Sequence, residues 1–306
     1  QYYSRRIQLK DGAGVTLTAN GGFRASSPRL RKDGPVMSRI QMKRRSRMTT
    51  RKALIIINPG EEGARNYCEG VFEDLKNLKT YLASPQGGAW QSGEIIERTR
   101  PCSSLVRGDI QKLASADYSL VVFSGHGYVQ SETGHTILEL KSGEILDEME
   151  LRAQSTRRTI ILDCCKEVYD KQGRKIKMES FQFSVMHKAA ESLAMNPVQC
   201  RKAFDLAVSK CGHGVIVQHS CKPGQKSGDN EVKGGFYISS LLESAEEWVQ
   251  NNFSSVKDNQ YRPFSTVSAH LAAKPKTAEK AGDRPQTPYI EKPKSEPYFP
   301  FAVVTQ

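Results

Sequence analysis

From residue 52 onward, short apolar segments alternate with stretches of helical periodicity, and this alternation limits the possible folds more than any other feature. Residues 53–57, 118–123 and 159–162 are rich in apolar and β-branched side chains, which predicts buried strands. Between the first two of them, residues 67–82 carry apolar side chains at helical spacing. Buried strands that alternate with helices predict a mostly parallel sheet covered by helices on both faces.

The net charge of +12 lies almost entirely at the start of the chain. Residues 1–52 hold 14 Lys or Arg residues and only two acidic residues, whereas residues 53–306 hold 31 of each sign. Residues 1–51 show no sustained periodicity, which predicts a flexible basic arm before a folded domain at 52–306. Nucleic-acid binding through this arm is an alternative function, but the neutral body and the lack of interleaved aromatic residues in the arm argue against it.

Apolar run lengths and cysteine usage indicate the class of protein and its compartment. No apolar run approaches the roughly 18–20 residues that cross a bilayer, and the first residues lack the apolar segment of a signal peptide. We therefore expect a cytoplasmic protein without membrane contact, with the nucleus as a second possible location.

Seven cysteines without a C-x-x-C pair predict free thiols and no metal site.

Two of the predicted strands run directly into reactive residues. The strand at 118–123 continues into Ser124-Gly125-His126-Gly127, and the strand at 159–162 continues into Asp163-Cys164-Cys165. The carboxyl ends of neighbouring parallel strands meet at one edge of a sheet, so His126 can face Cys165 there. An imidazole lowers the pKa of a thiol and can protonate a leaving amine, and the N–H groups of Gly127 and Cys165 can hold an oxyanion.

These motifs resemble those of the caspase and metacaspase superfamily (peptidase clan CD), over about residues 52–304. Further local matches, in the family's order, lie at residues 70–78, 220–225, 234–243, 286–288 and 299–303. The resemblance implies a caspase-like three-layer α/β/α sandwich with a mostly parallel, about six-stranded central sheet. It also implies a large-subunit-like part at 52–180, a small-subunit-like part at 181–306, and a cysteine endopeptidase made as a zymogen.

The spacing of the metacaspase motif D-x-C places the nucleophile at Cys165 and not at Cys164. Strand alternation agrees, because Asp163 and Cys165 share one face and Cys164 points to the other, where a small buried thiol is expected. A second H-G pair contains His213, but this residue precedes its strand and belongs at the opposite sheet edge. His126 is therefore the expected catalytic histidine.

Substrate preference is predicted from the residue two positions before the nucleophile. Caspases that cleave after aspartate have glutamine there, whereas this chain has Asp163, and a carboxylate suits a cationic side chain. In metacaspases the residue two before the histidine, here Ser124, and an aspartate on the first helix, here Asp74, also contact the substrate. We therefore expect protein or peptide substrates that are cut after Arg or Lys.

A polar loop is predicted at residues 166–179, where caspase-like proteases are often cut. Its Lys171, Arg174, Lys175 and Lys177 fit the predicted specificity, which suggests self-cleavage there or in the basic arm. The loop begins with Lys166-Glu167-Val168, where metacaspases usually have H-S-G after the cysteine, so the resemblance fails at this point.

Several properties stay open on the sequence. The aspartates that bind calcium in many metacaspases are only partly matched, by Asp147, Glu148 and Asp170, so no cofactor is expected and calcium activation is an open possibility. Both a monomer and a homodimer are compatible with the resemblance. A catalytically silent scaffold with the same fold is the main alternative function.

Overall fold

The computed structural model describes the chain over residues 49–64, 66–169, 194–257 and 260–305. Nearly all of the basic arm, most of the predicted loop at 166–179 and the predicted helix at about 184–194 lie outside these described residues. The first strand begins at Arg51, one residue before the predicted start of the folded domain.

A six-stranded sheet forms the centre of the described part, in the order β13-β9-β7-β3-β1-β2. In chain order its strands are β1 (Arg51–Asn58), β2 (Ile95–Thr99), β3 (Tyr118–Gly125), β7 (Arg157–Cys164), β9 (Gly214–His219) and β13 (Tyr289–Glu291). All neighbours pair in parallel except β13, which runs antiparallel to β9 at the sheet edge. The expected mostly parallel, six-stranded sheet is thus confirmed.

Helices cover both faces of this sheet, as expected. They are α1 (Gly70–Ala83), α2 (Ser103–Leu113), α3 (Glu148–Arg152), α4 (Pro197–Lys210), α5 (Phe236–Phe253) and α6 (Thr266–Ala281). Side chains alternate along β1, so Ile55 packs in the core layer that includes residues of α1, α4 and α5, whereas Ile56 packs with residues of α2. The chain therefore forms the three-layer α/β/α sandwich.

Three small sheets flank the central one. A four-stranded sheet contains β4 (Gly127–Gln130), β5 (Thr136–Glu139), β6 (Ile145–Asp147) and β8 (Glu167–Tyr169), and two-stranded sheets pair β10 (Asp229–Asn230) with β11 (Gly234–Gly235) and β12 (Tyr261–Ser265) with β14 (Pro300–Thr305). β5 and β6 form a hairpin. The last strand, β14, lies outside the central sheet and pairs with β12.

The register between β3 and β7 determines where the chemically reactive residues lie. Ser124 pairs with Asp163, and Gly125 pairs with Cys164, at the carboxyl ends of the two parallel strands. His126 and Cys165 follow directly, so both lie at the end of the sheet where β3 and β7 finish.

No helix within the described ranges has the length and apolar character that crossing a membrane requires.

Candidate active site

His126 packs against the loop that follows β1. Its Nε2 atom lies 3.8 Å from the Sγ atom of Cys68. A Cβ atom at Gly60, whose φ is +91°, would lie only 2.8 Å from the same nitrogen. The loop can therefore lie this close to the ring only because residue 60 is a glycine. The Nε2 side of the imidazole packs against this loop.

The two neighbouring cysteines have different surroundings. Cys164 is 1 % exposed and belongs to the core layer beneath the sheet, and burial raises the pKa of its thiol well above the ordinary range. Cys165 lies just past the strand end, is partly exposed, and has its Sγ atom 3.6 Å from the carbonyl oxygen of Ser227. Of the two thiols, that of Cys165 is the one that a substrate can reach.

Gly127 lies where three backbone segments meet. A Cβ atom at this residue would lie 2.9 Å from the carbonyl oxygen of Ile137 and 3.0 Å from the Sγ atom of Cys164. A larger residue would push β4 away from both neighbours. Glycine is therefore required here for close packing, next to His126.

Asp74, Ser124 and Asp163 converge from three different elements. Ser124 Oγ donates a hydrogen bond of 2.5 Å to Asp74 Oδ2, and the backbone N–H of Gly235 donates one of 2.8 Å to Asp74 Oδ1. Asp163 accepts hydrogen bonds from the Ser227 hydroxyl and from the backbone N–H of Ile238. The structure thus brings all three residues singled out for substrate binding to one buried location.

Asp229 adds a third carboxylate to this group. It pairs with Gly235 in the small β10–β11 sheet, and a Cβ atom at Gly70 would lie 2.8 Å from its Oδ2 atom. We call Asp74, Asp163 and Asp229 together the acidic pocket. Sequence reasoning did not find Asp229, because residues 226–230 follow no strand or helix pattern that would place it.

Mutual repulsion and burial make the acidic pocket electrostatically unfavourable. Burial and the neighbouring Asp163 raise the pKa of Asp74 well above its usual range. Burial raises the pKa of Asp163 to about 6, despite hydrogen bonds to Ser227 and Ile238 and with a further contribution from Asp229. Burial also raises the pKa of Asp229, while a backbone hydrogen bond and His126 act in the opposite direction. A cation would relieve this repulsion.

The absence of a Cβ atom at Gly234 and Gly235 lets the backbone approach the Asp74 and Asp163 carboxylates closely. A Cβ atom at Gly235 would overlap Asp163 Oδ2 and would lie 3.2 Å from Asp74 Oδ2, and one at Gly234 would overlap Asp74 Oδ1. The Asp74 and Asp163 carboxylates therefore both pack close to the Cα atom of Gly235, which directly precedes α5.

Cys68 is a further thiol at the site that the sequence did not indicate. Burial, Asp229 and Cys165 together raise the pKa of Cys68 to about 12. At neutral pH this thiol is protonated, so it is a poor nucleophile beside the imidazole of His126.

The residues after Cys165 differ from the predicted polar loop. Lys166 is 1 % exposed, and residues 167–169 form β8, which pairs with β4. The prediction of a polar loop starting at Lys166 was wrong for these first residues, because buried partners from distant strands compensate the ammonium charge.

The residues proposed for calcium have partners within the protein. Asp147 caps α3 through the N–H of Met149 and lies 2.9 Å from Nδ1 of His135. Glu148 lies 3.5 Å from Arg152, and Asp170 is outside the described residues. Asp147 and Glu148 therefore do not form a free carboxylate cluster, and calcium activation stays a prediction.

A family model for the caspase domain matches residues 50–293, which is most of the chain. The protein belongs to the caspase domain family. Membership confirms the expected relationship to caspase-like proteases and identifies the chain as a cysteine peptidase domain in general terms. The crystal structure of Caspase-1 from Spodoptera frugiperda has 13 % sequence identity and a TM-score of 0.49, and the match covers 84 % of this chain and 91 % of that one. A search of curated proteins found no significant match.

This caspase domain places His213 away from the site, as the direction of its strand requires. It is exposed and lies just before β9 begins at Gly214, and hence at the amino end of that strand. His126 and Cys165 follow the carboxyl ends of β3 and β7.

Proposed function

We propose that the protein is a cysteine endopeptidase that uses His126 and Cys165 and cuts peptide bonds after Arg or Lys. The observation that carries the proposal is the acidic pocket, whose Asp74 and Asp163 are buried beside the end of the strand that delivers Cys165. Asp163 is two residues from Cys165 and on the face of β7 that contacts α5. A substrate whose cationic side chain enters this pocket has its following peptide bond near the thiol.

In the proposed mechanism, Cys165 attacks the carbonyl carbon as a thiolate after its proton passes to His126. The thioester forms when His126 protonates the leaving amine, and water then hydrolyses the thioester with His126 as base. The backbone N–H groups of Gly127 and Cys165 are proposed to hold the oxyanion. The register of β3 and β7 pairs Gly125 with Cys164, the last residues of the two strands. His126 and Cys165 are the next residues, and their position at the same end of the sheet supports the proposed catalytic pair.

The charge of the pocket supports a cationic substrate side chain. The buried Asp74 and Asp163 carboxyl groups repel each other and the nearby Asp229, and a guanidinium or ammonium group would offset that repulsion. An aspartate side chain would add a fourth negative charge. Cleavage after aspartate is therefore strongly disfavoured here.

The proposed specificity extends to the protein's own basic segments. Self-processing in the 166–179 segment or in the basic arm would follow from cleavage after Lys or Arg, and would make the uncut chain a zymogen. Protein or peptide substrates, a cytoplasmic location and a monomeric or homodimeric state complete the proposal.

The experiment compares wild type, Cys165→Ala and Cys164→Ala on fluorogenic peptides that end in Arg, Lys or Asp. We expect turnover of the Arg and Lys peptides by wild type and Cys164→Ala, and none by Cys165→Ala. Turnover of the Asp peptide alone would contradict the specificity. A folded wild type without turnover at any pH or calcium concentration would indicate the silent scaffold.

A further inference from the structure

Lys166 directly follows the proposed nucleophile and is buried, although its side chain carries an ammonium group. It is 1 % exposed, and burial lowers its pKa from the ordinary value. An ammonium group taken out of water destabilises the fold unless it is paired and hydrogen-bonded. The partners that Lys166 finds therefore determine where this part of the chain can lie.

Those partners come from the two strands beyond β7 in the central sheet. Lys166 Nζ lies 2.5 Å from Nδ1 of His219 on β9 and donates a 2.7 Å hydrogen bond to the Tyr289 hydroxyl on β13. The Tyr289 ring stacks on the His219 ring, with 4.2 Å between the ring centroids, and the ammonium lies 4.7 Å from the centroid of Tyr289. The side chain thus reaches across β9 to the sheet edge.

The hydrogen bonds determine the tautomer of His219. Because an ammonium group can only donate, Nδ1 of His219 must accept, and the ring proton then lies on Nε2. Nε2 is 3.1 Å from Glu291 Oε1, which accepts that proton's hydrogen bond. Burial lowers the pKa of His219, which favours the neutral ring. Lys166, His219 and Glu291 form a continuous chain, which we call the anchor chain.

Other charged groups hold the far end of the anchor chain. Arg152 makes two hydrogen bonds to Glu291, of 2.7 and 3.1 Å, and lies 3.5 Å from Glu148. A Glu148 oxygen lies 3.8 Å from Nδ1 of His219. Glu148, His219 and Glu291 are close enough together to ligate a metal ion, but the Lys166 ammonium already occupies Nδ1 of the imidazole.

The backbone of Lys166 is fixed as firmly as its side chain. Its N–H donates to the carbonyl oxygen of Gln225 at 2.9 Å, and its carbonyl oxygen accepts from the N–H of Gly224 at 2.7 Å. The side chain of Gln225 is bound in turn to Thr287, through two hydrogen bonds of 2.8 and 3.3 Å. Cys165 therefore lies between two fixed residues, with Asp163 on one side and Lys166 on the other.

We propose that Lys166 is a positioning residue for the peptidase reaction, and that the anchor chain holds Cys165 in the orientation that its reaction requires. This inference rests on the proposed function, since it assigns the role of nucleophile to Cys165. Without the anchor chain, the segment after β7 can shift, and the thiol and the N–H of Cys165 shift with it. A displacement of about 1 Å at a reacting group can lower a rate by about 100-fold.

The test compares Lys166→Met with Lys222→Met, which changes an exposed lysine in the neighbouring turn. Methionine fills a similar volume without charge, but it leaves Nδ1 of His219 and the Tyr289 hydroxyl without their donor, so the melting temperature is measured alongside. We expect Lys166→Met to lower kcat on an Arg peptide by about 10- to 100-fold, with KM within about twofold of wild type. Lys222→Met should retain the wild-type kcat and KM.

A second measurement does not depend on the peptidase assay. The rate at which iodoacetamide alkylates Cys165 at pH 7, without substrate, should fall by a similar factor in Lys166→Met, because the misplaced thiol loses stabilisation of its thiolate. Wild-type alkylation and kcat in folded Lys166→Met would overturn the proposal. If wild type has no turnover, the proposed function fails, while the alkylation rates still decide the role of Lys166.

Glu291→Gln provides the test if Lys166→Met does not fold. The Glu291 side chain is 45 % exposed, so this variant keeps the shape and removes only the charge at the end of the anchor chain. We expect a smaller fall, of about two- to tenfold, in kcat and in Cys165 alkylation. Unchanged rates in Glu291→Gln would overturn the proposal in that case.

Discussion

The Sγ atom of Cys68 lies 3.8 Å from Nε2 of His126, on the ring edge that faces the loop after β1. Cys165 in turn acts on the pKa of Cys68, so two thiols lie close together at this end of the sheet. The raised pKa of Cys68, about 12, means that this thiol is protonated at pH 7.

Alkylation should distinguish these thiols. With limiting iodoacetamide at pH 7, we expect Cys165 to be labelled well before Cys68, as measured by peptide mapping. Cys102 is the internal reference, because a hydrogen bond from Ser104 lowers its pKa and it should react readily. Labelling of Cys68 at the same rate as Cys165 would contradict this assignment of the reactive thiol.

The pH dependence of activity should reflect the titration of Asp163. Its folded-state pKa, about 6, is above the ordinary value, so the carboxyl group is neutral below pH 6 and charged above it. We expect the affinity for agmatine, a small guanidinium compound, to rise as the pH increases through about 6. Calorimetry at pH 6 in two buffers of different ionisation enthalpy should detect proton release on binding.

Asp229→Asn is the matched variant for that titration. Because Asp229 contributes to the raised pKa of Asp163, its neutralisation should move the midpoint of agmatine binding to lower pH. Asp163→Asn should remove the transition near pH 6. A midpoint that both variants leave in place would assign the transition to another group.

A methyl group at residue 235 should close the acidic pocket. In Gly235→Ala the new Cβ atom would overlap Asp163 Oδ2, so we expect a loss of stability of about 1–3 kcal/mol and a loss of Arg and Lys peptide turnover. Gly212→Ala is the control, because a Cβ atom there meets nothing within 4 Å. Equal melting temperatures and equal turnover in the two variants would refute the described packing around Gly235.

Self-processing predicts slow fragmentation of purified protein. Mass spectrometry should find new carboxyl termini at Lys171, Arg174, Lys175 or Lys177, or in the basic arm, with Cys165→Ala remaining intact. Fragments that accumulate equally in Cys165→Ala would come from another protease and would refute self-cleavage.

Local patterns in the sequence were sufficient to predict the central architecture. Continuous apolar runs predicted β1, β3 and β7, because a strand buried on both faces needs apolar side chains at consecutive positions. The resemblance located His126, Cys165, Asp163, Ser124 and Asp74, and the separation of Cys164 from Cys165 followed from strand alternation. These features depend on neighbours within a few residues.

Only the tertiary structure decided the features that depend on distant residues. Asp74 binds Gly235 across 161 positions, and Lys166 binds His219 and Tyr289 across 53 and 123 positions. No periodicity shows that Asp229 joins the acidic pocket, or that three residues at 289–291 form the antiparallel edge strand. A lysine in a polar stretch is predicted to be exposed, because burial of a charge is unfavourable without partners. His219 on β9 and Tyr289 on β13 supply those partners, and they lie 53 and 123 residues further along the chain.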